Sequence, residues 1–241
     1  CRMKGLFKSL ADALNPQGIK CVVCGRDIEK ERNGFCGGCL KKLPYSARVC
    51  RKCGVDIRSL NDYCDDCGKN SYAFDEARSP FRYEGEAMKL IRRLKFGGQK
   101  YLAKPMSKLM AETLLRQNWR FDAVTYIPMN RSGLKNRGYN QARLLAEEIC
   151  DIIQKPMFGG IVKKEGVIPQ EGLDYNGRKD NVKGAFLVTE KPPGRLLLVD
   201  DVKTTGATLG EAAKALKKAG CREVYCLTFA SAVRKPKTGG L

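Results

Sequence analysis

The densest run of chemistry-bearing residues lies between Leu196 and Thr208. Four aliphatic residues, Leu196–Val199, read as a buried strand that ends in two acids, Asp200 and Asp201. The loop Val202-Lys203-Thr204-Thr205-Gly206-Ala207-Thr208 follows, and then a helix. Small residues let backbone N–H groups approach an anion, three threonine hydroxyls add donors, and a helix N-terminus adds positive potential. The spacing is neither Gly-x-x-x-x-Gly-Lys nor Gly-x-Gly-x-x-Gly. Two acids immediately before a phosphate loop suit a ligand with hydroxyls beside its phosphate, a ribose 5-phosphate, the acids holding the ring hydroxyls. A solvated acidic pair on an ordinary turn is the plain alternative.

The second constellation is sulfur. Four Cys-x-x-Cys pairs stand in a row: Cys21/Cys24, Cys36/Cys39, Cys50/Cys53 and Cys64/Cys67. Two such pairs give four thiolates in a tetrahedron, which suits zinc with Zn–S near ~2.3 Å. Three of the pairs end in Cys-Gly, which favours tight turns with amides facing sulfur. Sequential ligation puts one zinc on Cys21, Cys24, Cys36 and Cys39 and another on Cys50, Cys53, Cys64 and Cys67; spacing leaves interleaved ligation open. A segment of this size with few large apolar side chains needs metal in place of a core. Arg26, Lys30, Arg32, Lys41, Lys42, Arg48, Arg51 and Lys52, with Phe35, Tyr45 and Tyr63 between them, also offer charge and stacking to a single strand of nucleic acid; a solvated or protein-docking face is the alternative.

Around these sites the chain divides into a lead-in of residues 1–19 with a short helix, a zinc-ribbon segment of 20–71, and an α/β domain of 72–241. In the last, helices are expected at 84–98, 101–117, 141–154 and 210–220. Strands are expected at 122–128, 159–164, 184–189, 195–201 and 223–231. Strand–helix alternation with continuously apolar strands implies a mainly parallel sheet with helices on both faces. Cys150, Cys221 and Cys226 read as buried small residues.

Composition narrows the field. Hydrophobic residues make up 43% of 241, which fits a globular chain. No apolar run approaches the ~18 residues of a membrane span. There is no histidine, so the commonest general base is missing and thiolates or carboxylates must hold any metal. Twelve cysteines without a secretory signal point to metal and a reducing compartment, hence the cytoplasm, with membrane association only through partners. The formal charge is +19, and residues 81–241 carry 30 basic against 16 acidic side chains. Such a field attracts polyanions.

The Leu196–Thr208 segment closely resembles the signature of type I phosphoribosyltransferases, and nearly the whole chain resembles the ComF family of competence proteins. Ile127-Pro128, Arg131 and Asn136-Arg137-Gly138-Tyr139-Asn140-Gln141-Ala142 resemble that family's basic loop entering a helix. Gln170, Leu173, Arg178, Asn181-Val182 and Phe186 resemble its mobile loop, and the double zinc ribbon completes the match. Tyr139 stands where phenylalanine is usual, and Lys163-Lys164 where an arginine is expected.

The resemblance implies a type I phosphoribosyltransferase-like, Rossmann-like fold. It also implies binding of 5-phosphoribosyl-1-pyrophosphate (PRPP) with Mg²⁺ by Asp200, Asp201, Val202, Lys203, Thr204, Thr205, Gly206, Ala207, Thr208, Arg131, Lys135 and Arg137. Asp200, Asp201, Arg137 and Arg178 are its catalytic set, stabilising an oxocarbenium-like state without a tuned base. Two functions follow from it: phosphoribosyl transfer to an unidentified acceptor, or a non-catalytic single-stranded DNA-binding factor of natural transformation with a vestigial or regulatory PRPP site. A helicase-like competence ATPase is the implied protein partner.

Overall fold

In a computed structural model, the structure describes residues 19–28, 33–57, 60–69, 72–165 and 183–233. The lead-in helix, Lys30, Arg32 and the expected mobile-loop residues Gln170, Leu173, Arg178, Asn181 and Val182 lie outside the described residues. The chain forms two compact units, residues 1–43 and 44–241.

The smaller unit is a zinc knuckle built on almost no regular structure. Strands β1 (Ile19–Lys20) and β2 (Asp27–Ile28) pair antiparallel, and a short helix α1 (Gly37–Lys41) follows. Phe35 is fully buried, so it packs the unit and offers no stacking face to a ligand.

The larger unit opens with the second cysteine set and helix α2 (Asp65–Lys69). It continues with strands β3 (Glu76–Arg78) and β4 (Phe81–Arg82), helix α3 (Gly85–Phe96), a 3₁₀ turn and helix α4 (Ala103–Leu115). Strand β5 (Ala123–Tyr126) leads into helices α5 (Arg131–Arg137) and α6 (Gln141–Ile153). An antiparallel pair, β6 (Ile161–Lys163) and β7 (Phe186–Val188), comes next, then β8 (Arg195–Lys203), helix α7 (Ala207–Lys218) and β9 (Glu223–Ser231).

The main sheet has the order β3-β9-β8-β5, with β4 extending the β3 side, and every pairing in it is parallel. Strands β6 and β7 pair antiparallel apart from it. Alternate residues of β8 serve opposite faces, as the two-residue period of a strand requires. Leu196 and Leu198 join Val224 and Cys226 in a core with Leu209, Ala212 and Leu216 of α7. Leu197 and Val199 serve the other face, where α4 and α6 pack on the sheet and Ser107 Oγ donates to Leu145 O at 3.1 Å. Helices therefore cover both faces. Cys221 and Cys226 are buried as expected, and Cys150 is half-buried beside the apolar stripe of α6.

Two expectations are corrected. The acids do not end the strand: β8 runs on to Lys203, because β9 continues beside it and pairs Val202 with Ala230 and Lys203 with Ser231. The basic stretch after Pro128 is not a loop but helix α5. Asn130 caps it by accepting from Gly133 N at 3.0 Å, and Gly138 at φ +77° ends it. Asn140 then caps α6 through Ala142 N and Arg143 N and donates to Ile127 O at 3.0 Å.

Candidate functional site: phosphate loop and cysteine clusters

Because Asp200 and Asp201 lie inside a strand, their side chains part. Asp201 is 1% exposed and sits on the face that α3 reaches, where Lys95 Nζ meets its Oδ2 at 2.7 Å. Asp200 is half-buried, and its Oδ1 accepts from Asp201 N at 2.8 Å. Burial pushes the Asp200 carboxyl well above the usual range, the Asp201 charge pushes it further, and Lys95 pulls it back. Burial works against the Lys95 charge, but the two carboxylates outweigh it and its pKa is raised. Lys163, at the end of β6, is lowered by burial and feels the Asp200 charge in the opposite sense. Lys95 is the residue that sequence reasoning missed. It belongs to an amphipathic helix 105 positions upstream of Asp200, and no local signal ties it to the acids.

The loop itself is tightly held. Thr205 is buried, its Oγ1 accepts from Ala207 N at 3.2 Å, and Gly206 takes φ +82° as α7 begins. Tyr72 Oη donates to Thr205 O at 2.8 Å. A Cβ on Gly206 would lie 3.1 Å from Tyr72 Cε1, so glycine is required here both for its conformation and for the approach of the ring. The N-cap residue Gly206 has no side chain, and the hydroxyl of Thr205 takes the first amide of α7, that of Ala207. Lys203, expected to face the ligand, is buried and lies within electrostatic reach of Cys53 and Cys226.

The basic residues arrive at the same sheet edge. Strand β5 runs parallel to β8, Ile127 N donates to Val199 O at 3.0 Å, and α5 follows directly. Arg131 N donates to Glu165 Oε1 at 3.0 Å, which ties the start of α5 to the end of the β6 segment. Arg131 and Lys135 are exposed. Arg137 donates to Gln141 Oε1 at 2.6 Å, and its guanidinium stands 5.2 Å from the centroid of Phe96, which is 76% exposed.

The eight paired cysteines form two sets, Cys21/Cys24/Cys36/Cys39 and Cys50/Cys53/Cys64/Cys67, with all sulfurs of a set within 4.8 Å of one another. Ligation is therefore sequential. A tetrahedron with Zn–S near ~2.3 Å has S–S edges of about 3.8 Å, and the Cys24–Cys36 and Cys53–Cys64 separations are 3.7 and 3.6 Å. Both sets fit zinc. Amides face sulfur as expected: Cys36 N donates to Cys21 Sγ at 3.3 Å. Burial opposes ionisation of Cys21, but N–H groups of Cys24, Cys36 and Val23 outweigh it and bring the thiol to about 6.

Fold and site together define a parallel α/β protein that carries a strand–acid–threonine loop behind two zinc-binding cysteine clusters. Residues 10–68 match the family model described as a double zinc ribbon domain. Competence protein F of Haemophilus influenzae is 30% identical over 232 residues, 91% of this chain and 100% of that protein. This chain belongs to that family, the ComF competence proteins. Competence protein ComFC of Streptococcus pneumoniae is 25% identical, covering 90% of each chain, and the DNA utilization protein YhgH of Escherichia coli K12 is 24% identical, covering 86% of this chain and 95% of that one.

Among solved structures, orotate phosphoribosyltransferase from Aeropyrum pernix overlaps 58% of this chain and 76% of its own at 20% identity and TM-score 0.36. The PRPP amidotransferase of B. subtilis overlaps 52% of this chain at 19% identity and TM-score 0.36, and this chain spans about a quarter of its length. Overlaps this loose leave the fold to rest on the sheet order given above. No helix among the described residues is long and apolar enough to cross a membrane.

Proposed function

We propose that the loop from Asp200 to Thr208 binds PRPP with Mg²⁺ and that the chain is a phosphoribosyltransferase-like protein serving DNA uptake. One observation carries the reading: the loop begins at a half-buried carboxylate and ends on the N-terminus of α7, with a buried threonine whose hydroxyl holds the Ala207 amide and a left-handed glycine between them. The 5-phosphate takes the amides and hydroxyls of residues 204–208. Asp200 takes the ribose hydroxyls, while Asp201 stays on Lys95 and holds the strand end in place. Arg131, Lys135 and Arg137 supply positive charge for the pyrophosphate at the same sheet edge. Mg²⁺, when bound, neutralises pyrophosphate charge, and Asp200 suits it as a carboxylate ligand, whereas Asp201 is committed to Lys95. Calorimetric titration with PRPP and Mg²⁺ tests the site: the expected result is binding that Thr205→Ala weakens at least ~5-fold, and no heat of binding would refute it. Pyrophosphate release in the presence of candidate acceptors tests turnover.

A second reading, single-stranded DNA binding, is favoured by exposed rings set among cations. Phe96, 76% exposed, lies beneath Arg137, and Tyr101 is 60% exposed and accepts from Arg93. The names of the relatives agree with it. Titration of a fluorescent oligonucleotide at two salt concentrations distinguishes a real site, whose affinity falls steeply with salt, from none.

A further inference from the structure

We infer that the second cysteine cluster is coupled to the phosphate loop through Tyr72, so that metal at Cys50, Cys53, Cys64 and Cys67 and the conformation of residues 203–208 depend on one another. The ligand-binding arm of this inference rests on the PRPP reading; the coupling itself does not.

The contacts form an unbroken path. The knuckle Cys50–Gly54 lies directly on β3. Ala77 N donates to Lys52 O at 2.8 Å and Arg78 Nη1 donates to Arg51 O at 2.8 Å. Gly54 has φ +65°, and a Cβ there would fall 2.3 Å from Ala77 O. Cys50, Cys53 and Cys64 are buried in one apolar cluster with Phe74, Ala77 and the α7 residues Leu209, Ala212 and Ala213. Phe74 has the Lys52 ammonium 5.9 Å from its centroid on the knuckle side, and Tyr72 stacks on it at 4.8 Å and 10°. The Tyr72 ring then lies against Gly206 and Gly210 while its hydroxyl holds Thr205 O. Tyr72 also follows the ligand Cys67 by only five residues, so the path is covalent as well as packed.

A thiolate knuckle holds its turn only while metal holds the sulfurs. Losing metal from this set loosens the platform under Phe74 and Tyr72, and with it the carbonyl of Thr205. The first set, Cys21/Cys24/Cys36/Cys39, belongs to the other compact unit and supplies the internal control. Coupling of this kind is reciprocal: a ligand that fixes the loop must slow metal release from the second set.

The test uses the full chain with both zinc ions. Amide hydrogen exchange over residues 203–209 is measured by mass spectrometry in wild type, Cys64→Ser, Cys36→Ser and Tyr72→Phe. The expected result is about 10-fold faster exchange in Cys64→Ser, no change in Cys36→Ser, and about 3–10-fold faster exchange in Tyr72→Phe with two zinc ions retained. Zinc release to a chromogenic chelator is then followed with and without PRPP and Mg²⁺. One of the two ions should be released several-fold more slowly with ligand in wild type, and the difference should vanish in Tyr72→Phe, an outcome that general loosening of the fold does not produce. Unchanged loop exchange in both Cys64→Ser and Tyr72→Phe overturns the inference. If Cys64→Ser fails to fold, Tyr72→Phe decides. If PRPP binds by calorimetry but zinc release ignores it, the coupling fails and the site stands; if PRPP does not bind, the site reading fails and the exchange data still decide the coupling.

Discussion

Replacing Lys95 with methionine isolates the residue that sets the charge of the site. The ammonium and Asp201 Oδ2 are 2.7 Å apart, with side chains 19% and 2% exposed. Their gross Coulomb attraction at an effective dielectric of ~20 is about 6 kcal/mol, much of it offset by desolvation. Removing the cation leaves Asp201 buried and unpaired beside Asp200, a loss of about 3–5 kcal/mol. With a urea slope of about 2.5 kcal/mol/M, the unfolding midpoint falls by about 1–2 M. Urea unfolding at pH 7.5, followed by circular dichroism, reads this directly. The double variant Lys95→Met/Asp201→Asn should recover most of the deficit. A midpoint shift under ~0.3 M, or a double variant no better than the single one, would refute the assignment of Lys95 as the counter-charge of Asp201.

Three further outcomes follow from the same geometry. Asp200 has a raised folded pKa, so it penalises the fold as pH rises above the unfolded carboxylate value and most fully above the folded one. Asp200→Asn should therefore raise the melting temperature at pH 8 and leave it unchanged near pH 4, read by differential scanning fluorimetry, while abolishing PRPP binding. Gly54→Ala forces a left-handed turn and a contact at 2.3 Å with a backbone oxygen, which should cost more than about 2 kcal/mol and lower the melting temperature by several degrees, whereas Gly25→Ala has open space around its Cβ and should cost less. Phe96→Ala should weaken oligonucleotide binding by about 5–100-fold if the exposed ring stacks on a base, with the melting temperature unchanged because the ring is 76% exposed.

Much of this protein is local, and local features are written in the sequence. The Cys-x-x-Cys pairs announce zinc because ligand spacing is a property of a few adjacent residues, and both sets close as sequential neighbours. The helices at Gln141–Ile153 and Ala207–Lys218 and the strand at Glu223–Ser231 follow from apolar periodicity, caps and β-branched or aromatic content. The aliphatic run Leu196–Val199 marks its strand for the same reason.

What the sequence could not supply is partnership across distance. Only the continuation of β9 beside β8 keeps Asp200 and Asp201 inside a strand, and only that pleat sends one acid to Lys95 and leaves the other half-buried. Likewise nothing in the sequence singles out Tyr72 until folding stacks it on Phe74 and brings its hydroxyl to Thr205, 133 positions away. Residue types and short spacings fix which atoms are available. Which of them meet is decided by sheet pairing and packing, because both are sums over contacts between segments that no local window contains.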